Sequence, residues 1–190
     1  MFKKLLLTSA VVLAMQSPAL AQDYNDNYDS PLTGAYLGVS GGYSWTDADD
    51  ADVNGDEYGV FVGYKLDQWL QSNFGMTGAI EAHYEWSGAD DDGIEKDDSW
   101  GVQFRPGVAF LDAVNPFAFN PYAILGYKRA EFETAAGSED HDGFELGIGT
   151  EVVSYGDVGV RVDYSHTWYS DEGGVDPNEH ALKAGLSYHF

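Results

Sequence analysis

From Gly34 onward the apolar residues recur at every second position, the period of an extended strand with two chemically different faces. In the first segment, residues 34–46, Ala35, Leu37, Val39, Tyr43 and Trp45 share one face, and Gly38, Ser40, Gly42 and Ser44 share the other. The same pattern returns at about 58–66, 77–86, 99–110, 119–130, 144–152, 158–168 and 182–190. Eight such segments in succession define an all-β chain, and eight is an even number, as closure with both ends on one side requires.

The residues ahead of this run read differently. Lys3 and Lys4 precede an apolar stretch from Leu5 to Met15, and Ser17-Pro18-Ala19-Leu20-Ala21 supplies small residues suited to cleavage. Residues 1–21 are therefore expected to be a signal peptide, 22–33 a flexible N-terminal segment, and 34–190 a single barrel domain. A helix needs roughly 20 apolar residues to cross a bilayer, and no stretch of this chain approaches that. With no cysteine, disulfides cannot hold the domain together. The 13 Tyr, 10 Phe and five Trp exclude a disordered acidic tail. With 32 acids against nine Lys and Arg, the net charge of −23 excludes nucleic acid as a partner.

The face opposite the apolar one decides between two barrels, a soluble lipocalin-like carrier and a membrane barrel. It is rich in Gly and Ser and carries charges of both signs: Glu81, Glu85, Arg105, Glu145, Arg161, Asp163 and Lys183. Small residues interspersed with pairable charges suit the narrow interior of an eight-stranded barrel. The fifth segment is apolar on both faces. Lys128 sets its orientation, because a cation facing mid-bilayer lipid costs roughly 2 to 4 kcal/mol. Trp45, Trp86, Trp100 and Trp168 all lie on the apolar parity near one end of their segments, with Phe110, Tyr188 and Phe190 toward the other. Two aromatic belts of this kind mark the interfaces of a lipid-spanning barrel. The expected fold is an eight-stranded antiparallel up-and-down transmembrane β-barrel. Its connections at 47–57, 88–98, 131–142 and 170–180 emerge at one rim and hold 21 of the 32 acids.

Several segments carry a family resemblance. TGAYLGVSGGYSW (33–45), SWGVQFRPGVAF (99–110), NPYAILGY (120–127) and ALKAGLSYHF (181–190) are similar to strands of the opacity-type, OmpA-like small outer-membrane barrels, a porin-like family of Gram-negative bacteria. The resemblance implies an outer-membrane location. It also implies that the terminal Leu186-x-Tyr188-x-Phe190 is read by the outer-membrane assembly machinery. Two departures stand out: Pro106 interrupts the fourth segment, and Asp67 to Gly75 is long for a periplasmic turn.

Little in the sequence points to chemistry. Ser165 and His166 are adjacent and so face opposite sides of a strand, and His166 with Ser170 is a weak pairing. The remaining histidines lack metal-ligand spacing, and no enzyme activity and no cofactor are expected. Asp50-x-Asp52-x-Asn54-Gly55-Asp56 resembles half of a calcium loop, but Phe61 stands where the closing Glu is needed, and Asn54-Gly55 alternatively turns a hairpin. The expected role is structural and interactive: four acidic extracellular loops on a rigid barrel, in contact with outer-membrane lipids and with divalent cations at the loops. The alternative is a narrow cation-preferring channel. A monomer is expected because closure removes free sheet edges.

Overall fold

The computed structural model describes residues 32–48, 51–71, 73–91, 94–111, 117–134, 137–154, 157–170 and 178–190. The proposed signal peptide, most of the 22–33 segment and Asp50 lie outside them. Eight strands follow one another: β1 (Gly34–Ala48), β2 (Ala51–Gln71), β3 (Phe74–Asp91), β4 (Ile94–Leu111), β5 (Phe117–Thr134), β6 (Gly137–Ser154), β7 (Val158–Tyr169) and β8 (Asn178–His189). Each pairs antiparallel with its sequence neighbours, and β8 pairs with β1, closing the barrel. Phe190 completes the seam, its N–H donating to the Ala35 carbonyl at 2.9 Å.

The alternation of the sequence becomes inside and outside. In β7 every second side chain, from Gly159 to Tyr169, is buried, while Val158, Val160, Val162, Tyr164 and Trp168 are exposed. The ambiguous fifth segment follows Lys128: Tyr122, Ile124 and Lys128 turn inward, Leu125 and Tyr127 outward. Close packing inside requires glycine where a large side chain crosses the lumen. A Cβ at Gly149 would stand 2.5 Å from the Tyr122 ring, and one at Gly101 2.6 Å from the His83 ring.

The strands are longer than the alternation suggested. An 18-residue strand rises about 60 Å and, tilted by about 45°, spans roughly 40 Å of barrel height, whereas the hydrocarbon is about 30 Å thick. The surplus lies at the rim opposite the termini, within residues expected to be loops. Ala48 pairs with Ala51, Asp91 with Ile94 and Thr134 with Gly137, so three of the four acidic connections are mostly paired hairpin. Asn54-Gly55 is not a turn: these residues pair with Trp45 and Ser44 inside β2. The half-match to a calcium loop is corrected with it, for its described members. Asp52, Asn54 and Asp56 follow an extended backbone that spaces alternate residues about 6 to 7 Å apart and cannot wrap an ion.

At the other rim, β2 continues to Gln71 through an irregularity at Trp69/Gln71 and meets Phe74, so the expected long turn is short. Pro106 remains within β4. Its pairing with Gly78 persists, while the ladder to β5 skips Arg105 and Pro106. The missing donor is thus confined to one side of the strand.

Leu32 and Thr33, the described part of the expected flexible segment, are anchored. Leu32 is fully buried with Ala109, Ala118 and Val153, beside Trp69 and Leu111. The Thr33 hydroxyl donates to Asp67 at 2.7 Å.

Candidate functional site

The lumen is filled by charge. Six cations, Lys65, Lys96, Arg105, Lys128, Arg161 and Lys183, face seven carboxylates, Glu57, Glu81, Glu85, Glu145, Glu151, Asp163 and Glu179. Placing ions here is costly unless each is paired and hydrogen-bonded, and the pairing falls into three tiers.

The tier toward the hairpin rim is a closed ring of alternating sign. Lys96 pairs with Glu57, Glu57 with Lys183 at 3.0 Å, Lys183 with Glu85 at 2.5 Å, and Glu85 with Lys128 at 3.0 Å. Lys128 then meets Glu179 at 2.6 Å, and Glu179 returns to Lys96 at 2.5 Å. The Tyr169 hydroxyl donates to Glu179 at 3.1 Å. Above this ring, Ala130, Phe132 and Tyr169 cluster, with His141 edge-on to Phe132.

The middle tier is a four-membered ring. Arg161 grips Glu81 with two nitrogens at 2.6 and 3.1 Å and reaches Asp163 at 3.2 Å. Arg105 bridges Asp163 at 2.9 Å and Glu81 at 3.2 Å. Tyr36 donates to Glu81 and Tyr122 to Asp163, at 2.9 and 2.6 Å, and the Arg161 guanidinium lies 3.4 Å over the Phe61 ring. Glu145 accepts from Gln103 at 2.6 Å.

Nearest the termini, Lys65 pairs with Glu151 and donates to Asn120 at 3.1 Å, while Ser187 donates to Glu151 at 2.9 Å. Leu32 and its cluster lie at this end.

All eight expected lumen charges thus point inward, and all but Glu145 lie in ion pairs with one another or with Glu57 and Glu179. Glu57, Lys96 and Glu179 fall within the stretches expected to be loops. Glu57 keeps the inward parity of β2, so extending that strand would have found it. Lys96 has the wrong parity. Its inward placement depends on an extra residue in β4 between Lys96 and Ser99 relative to β5, a bulge that re-aims the side chain.

The outer surface is the complement. Leu37, Val39, Ile80, Val102, Phe104, Leu125, Ile148, Val160, Val162 and Leu186 form an exposed apolar band. Among the described residues, no outward position between the two aromatic rims carries a charge. Trp86, Trp100 and Trp168 stand outward and exposed toward the hairpin rim, and half-buried Trp45 stacks on His180. Phe110, Tyr188 and Phe190 stand outward toward the other rim, with Phe74 5.4 Å from Phe110.

A closed barrel, apolar outside and ionic inside, is an integral protein that crosses the membrane with strands. Among the described residues no helix is long and apolar enough to do so. Residues 7–190 match the family of the outer membrane protein beta-barrel domain, and the chain belongs to that family; its place is the bacterial outer membrane. Among solved structures it is similar to Neisserial surface protein A, with TM-score 0.57 and 15% identity over 82% of this chain and 97% of that one. Matches also include the attachment invasion locus protein Ail of Yersinia pestis, with TM-score 0.39 and 16% identity over 81% and 99% of the two chains. Another is the outer membrane enzyme PagL, with TM-score 0.46 and 17% identity over 80% and 99%. No curated protein matches the sequence. The shared fold leaves function to the particular residues of this chain.

Proposed function

We propose that this chain is a surface-interaction barrel: a rigid, sealed scaffold whose acidic hairpin crown engages cationic partners outside the cell. The observation that carries this reading is the segregation of charge. Of the nine Lys and Arg in the sequence, Lys3 and Lys4 fall in the expected signal peptide and six face the lumen, leaving Arg129 as the single cation outside. Arg129 reaches Asp140 at 2.8 Å and Asp142 at 3.4 Å. The crown is therefore a surface of nearly one sign. Such a surface draws oppositely charged partners, including divalent cations bridging to lipid headgroups, in a salt-dependent manner.

Three further expectations complete the proposal. The aromatic rims lie at the lipid headgroups. The exposed Phe190 serves recognition by the assembly machinery, and the barrel works as a monomer. No catalytic role is assigned, because Ser165 is buried in the lumen while His166 is on the outer face. The narrow cation channel is disfavoured by a lumen crossed by three tiers of ion pairs with an apolar cluster at each end.

The test is binding of a short oligolysine peptide to the protein in liposomes. Saturable binding that weakens with salt and falls in an Asp56→Asn, Asp97→Asn, Asp140→Asn variant supports the reading. Binding indifferent to these changes, or cation-selective conductance steps in planar bilayers, overturns it.

A further inference from the structure

On the outer face, just inside the hairpin rim, His166 of β7 stands directly opposite His180 of β8 in the strand register. Their Nδ1 atoms are 3.2 Å apart, and the Tyr164 hydroxyl oxygen lies 2.9 Å from His180 Nδ1. Trp45 stacks on the His180 ring with centroids 5.7 Å apart and planes 14° from parallel, and Trp168 packs edge-on against His166 at 4.1 Å. Two imidazole nitrogens and a phenol oxygen thus converge on one point of the surface, with indole rings beside both imidazoles.

We propose that His166 and His180 form a two-nitrogen chelate for a borderline transition-metal dication, Zn²⁺ or Cu²⁺, with Tyr164 as an adjacent oxygen donor. The argument is geometric. Zn–N bonds of about 2.0 to 2.1 Å at a tetrahedral angle set the two nitrogens roughly 3.3 Å apart, close to the separation found before any ion is added. Two facing Nδ1 atoms repel through their lone pairs unless one proton lies between them, and a dication takes that proton's place. In the neutral pair that proton moves to the Nε2 of its own ring, so both imidazoles meet the ion as neutral ligands through Nδ1.

The donor set also selects the ion. Imidazole suits zinc, copper and nickel, whereas calcium and magnesium call for a cage of oxygens. Among the described residues no group of three or more His, Cys, Asp or Glu surrounds the point, so the donors they supply are the two imidazole nitrogens and the Tyr164 oxygen. The pair lies at the level of Trp45 and Trp168 in the aromatic rim, and the net charge of −23 concentrates dications around it. The pair is invisible in the linear sequence because 13 residues separate the two histidines and only the β7–β8 register joins them.

The experiment uses untagged protein purified from membranes, titrated with Zn²⁺ by calorimetry and loaded with Cu²⁺ for electron paramagnetic resonance. The expected result is one ion per barrel with a two-nitrogen hyperfine pattern. His166→Asn and His180→Asn should each weaken binding by about tenfold or more, a loss at least as large as that of an outer-shell partner. His141→Asn, altering an inward histidine, should bind like the parent, and Ca²⁺ and Mg²⁺ should not compete. Heat-shifted gel mobility verifies that each variant is folded. Uptake unchanged in the His166→Asn, His180→Asn double variant, a copper spectrum without two nitrogens, or no saturable uptake by the parent overturns the proposal.

Discussion

Glu57 lies 3.0 Å from Lys183 although β1 stands between their strands. The contact closes across the lumen, and it is one link of the six-membered ring in which every lysine touches two glutamates and every glutamate two lysines. Each side chain in such a ring is held by two others, so removing one member leaves two buried charges of opposite sign to itself with a single partner each. The replacement of Lys128 by Met should therefore destabilise the barrel by about 3 to 5 kcal/mol, the cost of breaking a buried pair from one side. Its sequence neighbour provides the control. Arg129→Met alters an exposed pair at the rim and should leave the urea midpoint of unfolding unchanged.

The outer band makes the opposite demand. Ile148 is 67% exposed and sits among outward apolar residues near the middle of β6. Ile148→Arg should cost about 2 to 4 kcal/mol in a bilayer. The same change should cost far less in a detergent micelle that lets the guanidinium reach water, and equilibrium unfolding in the two media checks the difference.

Interior glycines are expected to be sensitive too, though less so than the charges. At Gly149 even a methyl group meets the Tyr122 ring and the Asp163 carboxylate, whose mutual hydrogen bond of 2.6 Å belongs to the middle tier. Gly149→Ala should destabilise by about 1 to 3 kcal/mol through overpacking. Gly41→Ala, where the nearest atoms would be at ordinary contact distance of 3.6 Å, should be close to neutral.

The alternation of the sequence sufficed for eight strands, their two faces and the eight charges placed inward, because lipid on one side and a packed lumen on the other impose a strict period of two. Where lipid ends, so does the signal. The hairpins above the membrane pair through their backbones and tolerate Asp, Gly and Asn on either face, so residues 51–57 and 94–98 read as loop while forming strand. Lys96 was lost to a bulge, which shifts parity without changing composition. The His166–His180 pair was lost because register between β7 and β8 cannot be counted from spacing. Leu32 lies ahead of the first alternating segment, and only the closed end of the barrel gives it a place to be buried.

The tryptophans test the depth at which the barrel sits. Trp86, Trp100 and Trp168 are 47%, 44% and 44% exposed on the outer face, whereas Trp45 is stacked on His180 and Trp69 packs at the base of the barrel beside the Leu32 cluster. In single-tryptophan variants reconstituted with brominated lipids, the first three should be quenched most by bromine near the headgroups and least by bromine at the chain ends, since an aromatic belt lies at the interface. Trp45 should be quenched less than Trp100, because the imidazole covers one face of its ring. Trp69 should respond from the opposite leaflet when only one leaflet carries the quencher. Strong quenching of Trp86 or Trp100 by deep bromine would move the membrane toward the hairpin tips and bring the acidic crown down to the lipid surface.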